Sequence, residues 1–423
     1  MFYNSYIYIL FVFDIIGGTG MNENRLSRHY VLIAGALIML CAGILYMWSV
    51  FQPHVAAYHG WQQDTAALTS SVMISCFVLG NIIAGMLQER VHPRLIACAG
   101  SVLFALGIYF TSYVASSAPI ALYLSYGVVG GLGCGILNST VLAVLQKWYA
   151  SKMGFITGVA VGFFGLSVVL LSPLVEMLLN RIELTATFRA LAIVFFVVLT
   201  VSSMFLKNPE KSYYYAEVTK AIKLENVRQF RPRDMLKSAS YYYIIISTFA
   251  SAAAYMIIVP FIYTIAVSRG MSTSLALAAV MCMGGANSLG RIGAPILSDK
   301  IGRTNTIILG SLVSLAGCLL IISAEGVLYI AAVILIALPY GGAGGVNPVI
   351  ATELFGARYS GANYGLVLLS IAFSSIFFGR ISAFLGADGD FTTAFMISAV
   401  LCAVPVIMML LLRKRCKRLG KNI

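Results

Sequence analysis

The chain has 423 residues, of which 60% are hydrophobic and only 10% charged, and its mean hydropathy is +0.91. A soluble domain of that size needs more charged surface than this composition supplies, so the chain reads as a polytopic membrane protein lying in a lipid bilayer. The net charge of +13 does not point to nucleic acid, because the basic residues collect in alternate loops and in the tail, a signal of topology. The eight cysteines are scattered, seven of them inside hydrophobic stretches, with no CxxC or Cys/His cluster; no disulfide framework, metal site or other cofactor is expected.

Residues 1–29 read as an N-terminal extension. Its first 20 residues are apolar, but Asp14 interrupts them and no basic n-region or cleavage site is visible, so a signal peptide is not expected. Met21-Asn22-Glu23-Asn24-Arg25 looks like an ordinary start, and the expectation is that translation begins at Met21 or that the extension is disordered. From Tyr30 onward, hydrophobic stretches long enough to span fall at 30–52, 66–87, 94–114, 119–146, 152–178 and 187–206, forming a first six-helix bundle (30–206). A long basic linker, 207–238, follows. A second set at 240–267, 274–298, 304–323, 327–353, 360–385 and 391–412 forms a second bundle (239–412), ending in the basic tail 413–423. Of the 28 Lys and Arg residues, all lie on one side except Arg181, Arg189 and Arg269, on the other, and Arg291 and Arg380, within spans. Both termini are therefore expected in the cytoplasm of a multi-pass protein of the cell membrane, working as a monomer.

The most informative stretch is the eighth span. Arg291 lies eight residues before Asp299, about 12 Å inside the membrane edge at about 1.5 Å per residue. A guanidinium at that depth costs roughly 3 kcal/mol or more, so it needs a partner or a water-filled cavity. Asn287 lies one turn away on the same face, with Gly284 and Ser288 beside it. One account is a structural arginine bonded to carbonyls of a neighbouring helix. The other, preferred here, is an anion site in a transport protein. An arginine offers a carboxylate two parallel N–H donors that a lysine cannot reproduce, and no acidic residue lies near mid-membrane to neutralise it. Tyr46, Asn138, Tyr255, Tyr340 and Asn347 are polar-tipped residues well inside spans. Each alone suits packing; as a set around Arg291 they are the expected cavity wall.

The two halves repeat. Gly85 to Arg94 after the second span answers Leu297 to Arg303 after the eighth, and Gln146-Lys147-Trp148-Tyr149 answers Thr352-Glu353-Leu354-Phe355. The turns carrying Glu89, Arg90, Asp299, Lys300 and Arg303 are expected to hold the cytoplasmic side shut through contacts between the halves and to release during switching. Gly341, Gly342, Gly344 and Gly345 before Asn347-Pro348 are expected to loosen and kink the tenth span as a gate element. The spaced glycines Gly154, Gly158 and Gly162, and Gly361 and Gly365, permit close helix packing.

These acid–base turns, the basic central linker and the 6 + 6 repeat resemble the major facilitator superfamily, over the chain from about Arg25. More narrowly, the chain is similar to the oxalate/formate antiporter group, related to monocarboxylate transporters. The residues carrying that likeness are Tyr46-Met47-Trp48, Lys147-Trp148-Tyr149, Arg291 with Ser298 to Arg303, Asn363-Tyr364-Gly365 and Ser375-Ile376-Phe377. The resemblance implies an all-α fold of two six-helix bundles and transport by alternating access. It also implies a departure. Oxalate-exchanging members carry a lysine in the middle of helix 11 that pairs with the helix-8 arginine, and here Ile371 takes its place. The cage positions Asn138, Phe164, Tyr340 and Leu368 are altered too, while Tyr46 keeps its aromatic character. One fixed cation suits one carboxylate better than two.

The expected function is therefore secondary transport of a small organic anion, most simply a monocarboxylate, with Arg291 as the carboxylate anchor. A counter-anion or a proton remains open as the coupled species. The rivals are drug or metabolite efflux by the same fold, a transporter-like nutrient sensor, and an intramembrane enzyme. The last needs a catalytic constellation that does not converge in this sequence.

Overall fold

A computed structural model describes residues 23–88, 90–150, 153–210, 229–356, 359–386 and 390–418. Among them, twelve helices are long and apolar enough to cross a membrane. They are α1 (Ser27–His59), α2 (Gln63–Leu87), α3 (Pro93–Thr111), α4 (Pro119–Trp148), α5 (Phe155–Arg181), α6 (Leu184–Met204), α7 (Ala239–Ile258), α8 (Thr273–Ile301), α9 (Arg303–Ser323), α10 (Gly326–Phe355), α11 (Gly361–Leu385) and α12 (Thr392–Arg418). All twelve expected spans are present. Residues 1–22 of the expected extension, 211–228 of the expected linker and 419–423 of the expected tail lie outside the described residues.

Local chemistry sets the ends of these helices. Pro93 and Pro119 open α3 and α4, where a missing N–H costs nothing. The Ser272 hydroxyl accepts from the Leu275 N–H and caps α8. Gly302, at φ 92°, makes the turn between α8 and α9 that a side chain would strain.

Three boundaries differ from expectation. The first span runs through Pro53 to His59, a turn and more beyond residue 52. The seventh stops at Ile258, and the chain resumes as a short helix, Ile262–Ser268, because Pro260 cannot supply the backbone donor that continuation requires. The twelfth continues to Arg418, so Arg413, Lys414, Arg415, Lys417 and Arg418 form its last turns, where cations complement the helix dipole.

The helices pack as two groups of six. In the first, α2 packs on α4, α3 on α4 and α6, and α1 on α5; in the second, α8 and α9 pack on α10 and α7 packs on α12. The groups meet along two seams, α5 against α8 and α2 against α11. Backbones come very close there. A Cβ added at Gly284 would run into Val168 Cβ, so the α5–α8 seam admits no side chain at that point. On the other seam, Ser375 Oγ donates to the Ser71 carbonyl at 3.3 Å and Ser75 Oγ to the Ala372 carbonyl at 3.2 Å.

The two membrane faces differ chemically. One carries Lys147, Lys207, Arg303 and Arg413, with Lys207 Nζ donating to Ser27 Oγ at 3.0 Å and Trp148 Nε1 to the Lys207 carbonyl at 2.7 Å. Toward this basic face a cavity lies between the groups. Near the opposite face they touch: the Tyr263 hydroxyl, in the short helix after α7, donates to Glu176 Oε1 of α5 at 3.2 Å.

Candidate functional site

Arg291 occupies the middle of α8 and reaches into the gap between the two groups. Its Nε–H donates to Asn287 Oδ1, one turn earlier, at 2.9 Å. Its Nη2 crosses the interface and donates to the Tyr46 hydroxyl of α1 at 3.0 Å. Asn287 is fully buried, and its Nδ2 donates to the Tyr255 hydroxyl at 3.0 Å. The Tyr255 ring stacks on Tyr340, with centroids 3.9 Å apart and planes 8° from parallel. Tyr46 stands edge-on to both rings, and its hydroxyl is 3.4 Å from that of Tyr340. The guanidinium is thus held by neutral amide and phenol groups, and among the described residues no carboxylate pairs with it. Gly344 of α10 leaves room beside it, since a Cβ there would lie 3.6 Å from Arg291 Cζ.

A cavity of about 210 Å³ adjoins Arg291. Its wall runs from Tyr46, Phe164 and Tyr340 at mid-depth to Gly85, Gln88, Gln146 and Gly361 at the ends of α2, α4 and α11, so it opens toward the basic face. Arg291 is the one charged side chain among the described residues that line it; no histidine or carboxylate does. The remaining wall is mixed, with Phe77, Leu142, Leu368 and Ile371 against Asn81, Asn138, Asn347 and Tyr364. A single cation, apolar walls and a few neutral polar groups can hold a small anion by its charged end.

Of the seven residues expected at the site, Arg291, Tyr46, Asn138, Tyr340 and Asn347 line this cavity. Asn287 and Tyr255 stand behind the wall and hold Arg291 in place. Phe164 and Leu368, expected as altered cage positions, and Ile371, expected in place of the lysine, all line the cavity. Sequence reasoning missed Tyr364 and the polar stripe Asn81, Gly85 and Gln88 on α2. Their spacing of four and then three residues is a helical face, and that periodicity was the available signal.

The expected gating charges are placed differently. Glu89 lies outside the described residues, and Arg90 and Lys300 are exposed. Arg303 Nη2 donates to Glu353 Oε1 at 2.9 Å and its Nη1 to Ser298 Oγ at 2.6 Å, with Asp299 as a third partner. These contacts join α8, α9 and α10 inside the second group instead of spanning the two groups. Glu353 is an acid within reach of Arg303, and it lies on a neighbouring helix of the same group. Pro348 sits within α10 and lines the cavity, yet the helix stays continuous from Gly326 to Phe355.

The sequence model described as Major Facilitator Superfamily matches residues 31–379, and again 244–422. The chain is 26% identical over 370 residues to the MFS-type transporter YhjX of Escherichia coli (strain K12), covering 85% of this chain and 88% of that one. It is 23% identical over 394 residues to the oxalate:formate antiporter of Oxalobacter formigenes, covering 90% and 91%. A shorter match, 28% over 142 residues, joins it to monocarboxylate transporter 13 of Rattus norvegicus across 34% of this chain and 33% of that one.

Proposed function

The chain belongs to the Major Facilitator Superfamily and is a secondary transporter, not an enzyme; from that footing we propose that it carries a small organic anion, most simply a monocarboxylate, anchored by Arg291. The observation that supports this reading is a mid-membrane guanidinium beside an open cavity whose described lining holds no acid. A charge so placed gains most from a partner of opposite sign arriving from solution. The likeness to an oxalate:formate antiporter and, over a third of the chain, to a monocarboxylate transporter supports the same class of ligand. Ile371 on the wall, where the antiporter group is expected to carry lysine, favours one carboxylate over two. An acid-free lining also gives a cationic drug nothing to pair with.

In this reading, residues 30–206 and 239–412 rock as two units about the α5–α8 and α2–α11 seams. The basic face is the cytoplasmic one by the distribution of Lys and Arg, so the cavity is open to the cytoplasm. The Tyr263–Glu176 contact and the serine seam close the other side. Counterflow of labelled monocarboxylates in proteoliposomes tests the proposal. A carrier accelerates exchange and Arg291→Ala abolishes it; a sensor binds without moving substrate.

A further inference from the structure

Resting on that monocarboxylate reading of the same cavity, we infer that the uncharged end of the substrate carries a hydroxyl, received by the side-chain oxygens of Asn138 and Asn347. One asparagine comes from each group of helices, and both line the cavity. Their amides are not free to flip. The Thr248 hydroxyl donates its one hydrogen to the Ile244 carbonyl at 2.8 Å, so toward Asn347 it can only accept. Asn347 Nδ2 must therefore face it, at 3.0 Å. In the first group, Asn81 Nδ2 donates to the Phe77 carbonyl at 2.8 Å, which turns Asn81 Oδ1 toward Asn138. Asn138 Nδ2 meets it at 2.7 Å. Both chains end on a backbone carbonyl, and reversing either amide would set oxygen against oxygen.

One N–H of each of the Asn138 and Asn347 amides is thus committed to the wall, leaving each amide its second N–H and its Oδ1. Among the described residues no protein donor meets either Oδ1. Two amides on a cavity wall that carries one fixed cation select a definite ligand. A second carboxylate would find no second cation among the described residues of this wall, and a plain alkyl end would leave desolvated amide groups unpaired. A hydroxyl satisfies one of them as donor. The spacing agrees as well. Asn347 lies three residues beyond Gly344, the position packed beside the Arg291 guanidinium, and Cβ positions so related on a helix are about 5–6 Å apart. That suits a carboxylate with a hydroxyl two or three carbons away.

Binding of butyrate, 3-hydroxybutyrate and succinate to the purified full-length protein in nanodiscs tests this directly. The expected result is that 3-hydroxybutyrate binds about tenfold more tightly than butyrate, equal to about 1.4 kcal/mol. Succinate should bind more weakly than either. Asn347→Leu and Asn138→Leu should each shrink the hydroxy-to-plain ratio to about two or less, whereas a structural role would weaken both acids alike and keep the ratio. Equal wild-type affinities for butyrate and 3-hydroxybutyrate, a preference for succinate, or a ratio unmoved in both variants overturns the inference while leaving the carboxylate anchor standing. If none of the three acids binds and no other monocarboxylate does, the proposed function falls with it.

Discussion

Replacing Arg291 tests the proposed chemistry most directly, and the structure sets the size of the effect. Its Nε is spent on Asn287 and one Nη2 hydrogen on Tyr46, leaving N–H groups for a ligand in the adjoining cavity. Two parallel charge-assisted hydrogen bonds at about 1.5–3 kcal/mol each contribute about 3–6 kcal/mol to holding a carboxylate. Arg291→Ala should therefore raise Kd by about 10² to 10⁴ and stop counterflow. Arg291→Lys keeps the charge but loses the planar fork, and should forfeit about half of that energy. Folding should change little. Losing the donor to buried Asn287 costs about 1–3 kcal/mol, while removing a mid-membrane guanidinium returns roughly 3 kcal/mol. The assay is equilibrium binding and counterflow with the tightest ligand from a thermal-shift panel of lactate, pyruvate, formate, oxalate and longer acids, alongside Tm. An alanine variant that folds and still transports within about threefold of the wild-type rate would refute the reasoning.

Asn287→Asp places a carboxylate where Oδ1 now lies 2.9 Å from Arg291 Nε, so an internal ion pair competes with the substrate. Monocarboxylate affinity should fall at least about tenfold, read by calorimetry. Ile371→Lys adds a second cation to the cavity wall, and oxalate counterflow should rise by about tenfold or more relative to butyrate. Gly284→Ala drives a Cβ into Val168 and pries the α5–α8 seam apart. Spin-label distances across the face bearing the Tyr263–Glu176 contact should lengthen and transport should fall; unchanged distances count against the seam. Arg303→Gln breaks the tie among α8, α9 and α10, in which Asp299 is largely exposed and Glu353 partly so. Screening limits the loss to about 1–2 kcal/mol, a Tm decrease of a few degrees with ligand affinity unchanged.

Much of this was legible in one dimension because a bilayer imposes one-dimensional rules. A span needs a run of apolar residues, a broken run needs a proline or a glycine, and loop charge sorts the faces. Hence the twelve helices, the repeat and the isolation of Arg291 follow from the order of residues. The break at Pro260 belongs to the same class of signal, though the apolar run through 267 masked it.

What the linear order could not decide is which polar side chains share a cavity and which stand behind it. Tyr255 and Tyr340 look alike as buried phenols, yet one supports Asn287 and the other lines the cavity. Arg303 resembles a clasp between halves and instead binds Glu353 of a neighbouring helix. The orientation of Asn347 depends on where Thr248 sends its single hydrogen. These outcomes rest on distances between helices far apart in the chain. A hydrogen bond between helices cannot be read from periodicity, because packing of one helix on another, and not the spacing within any one span, chooses its partner.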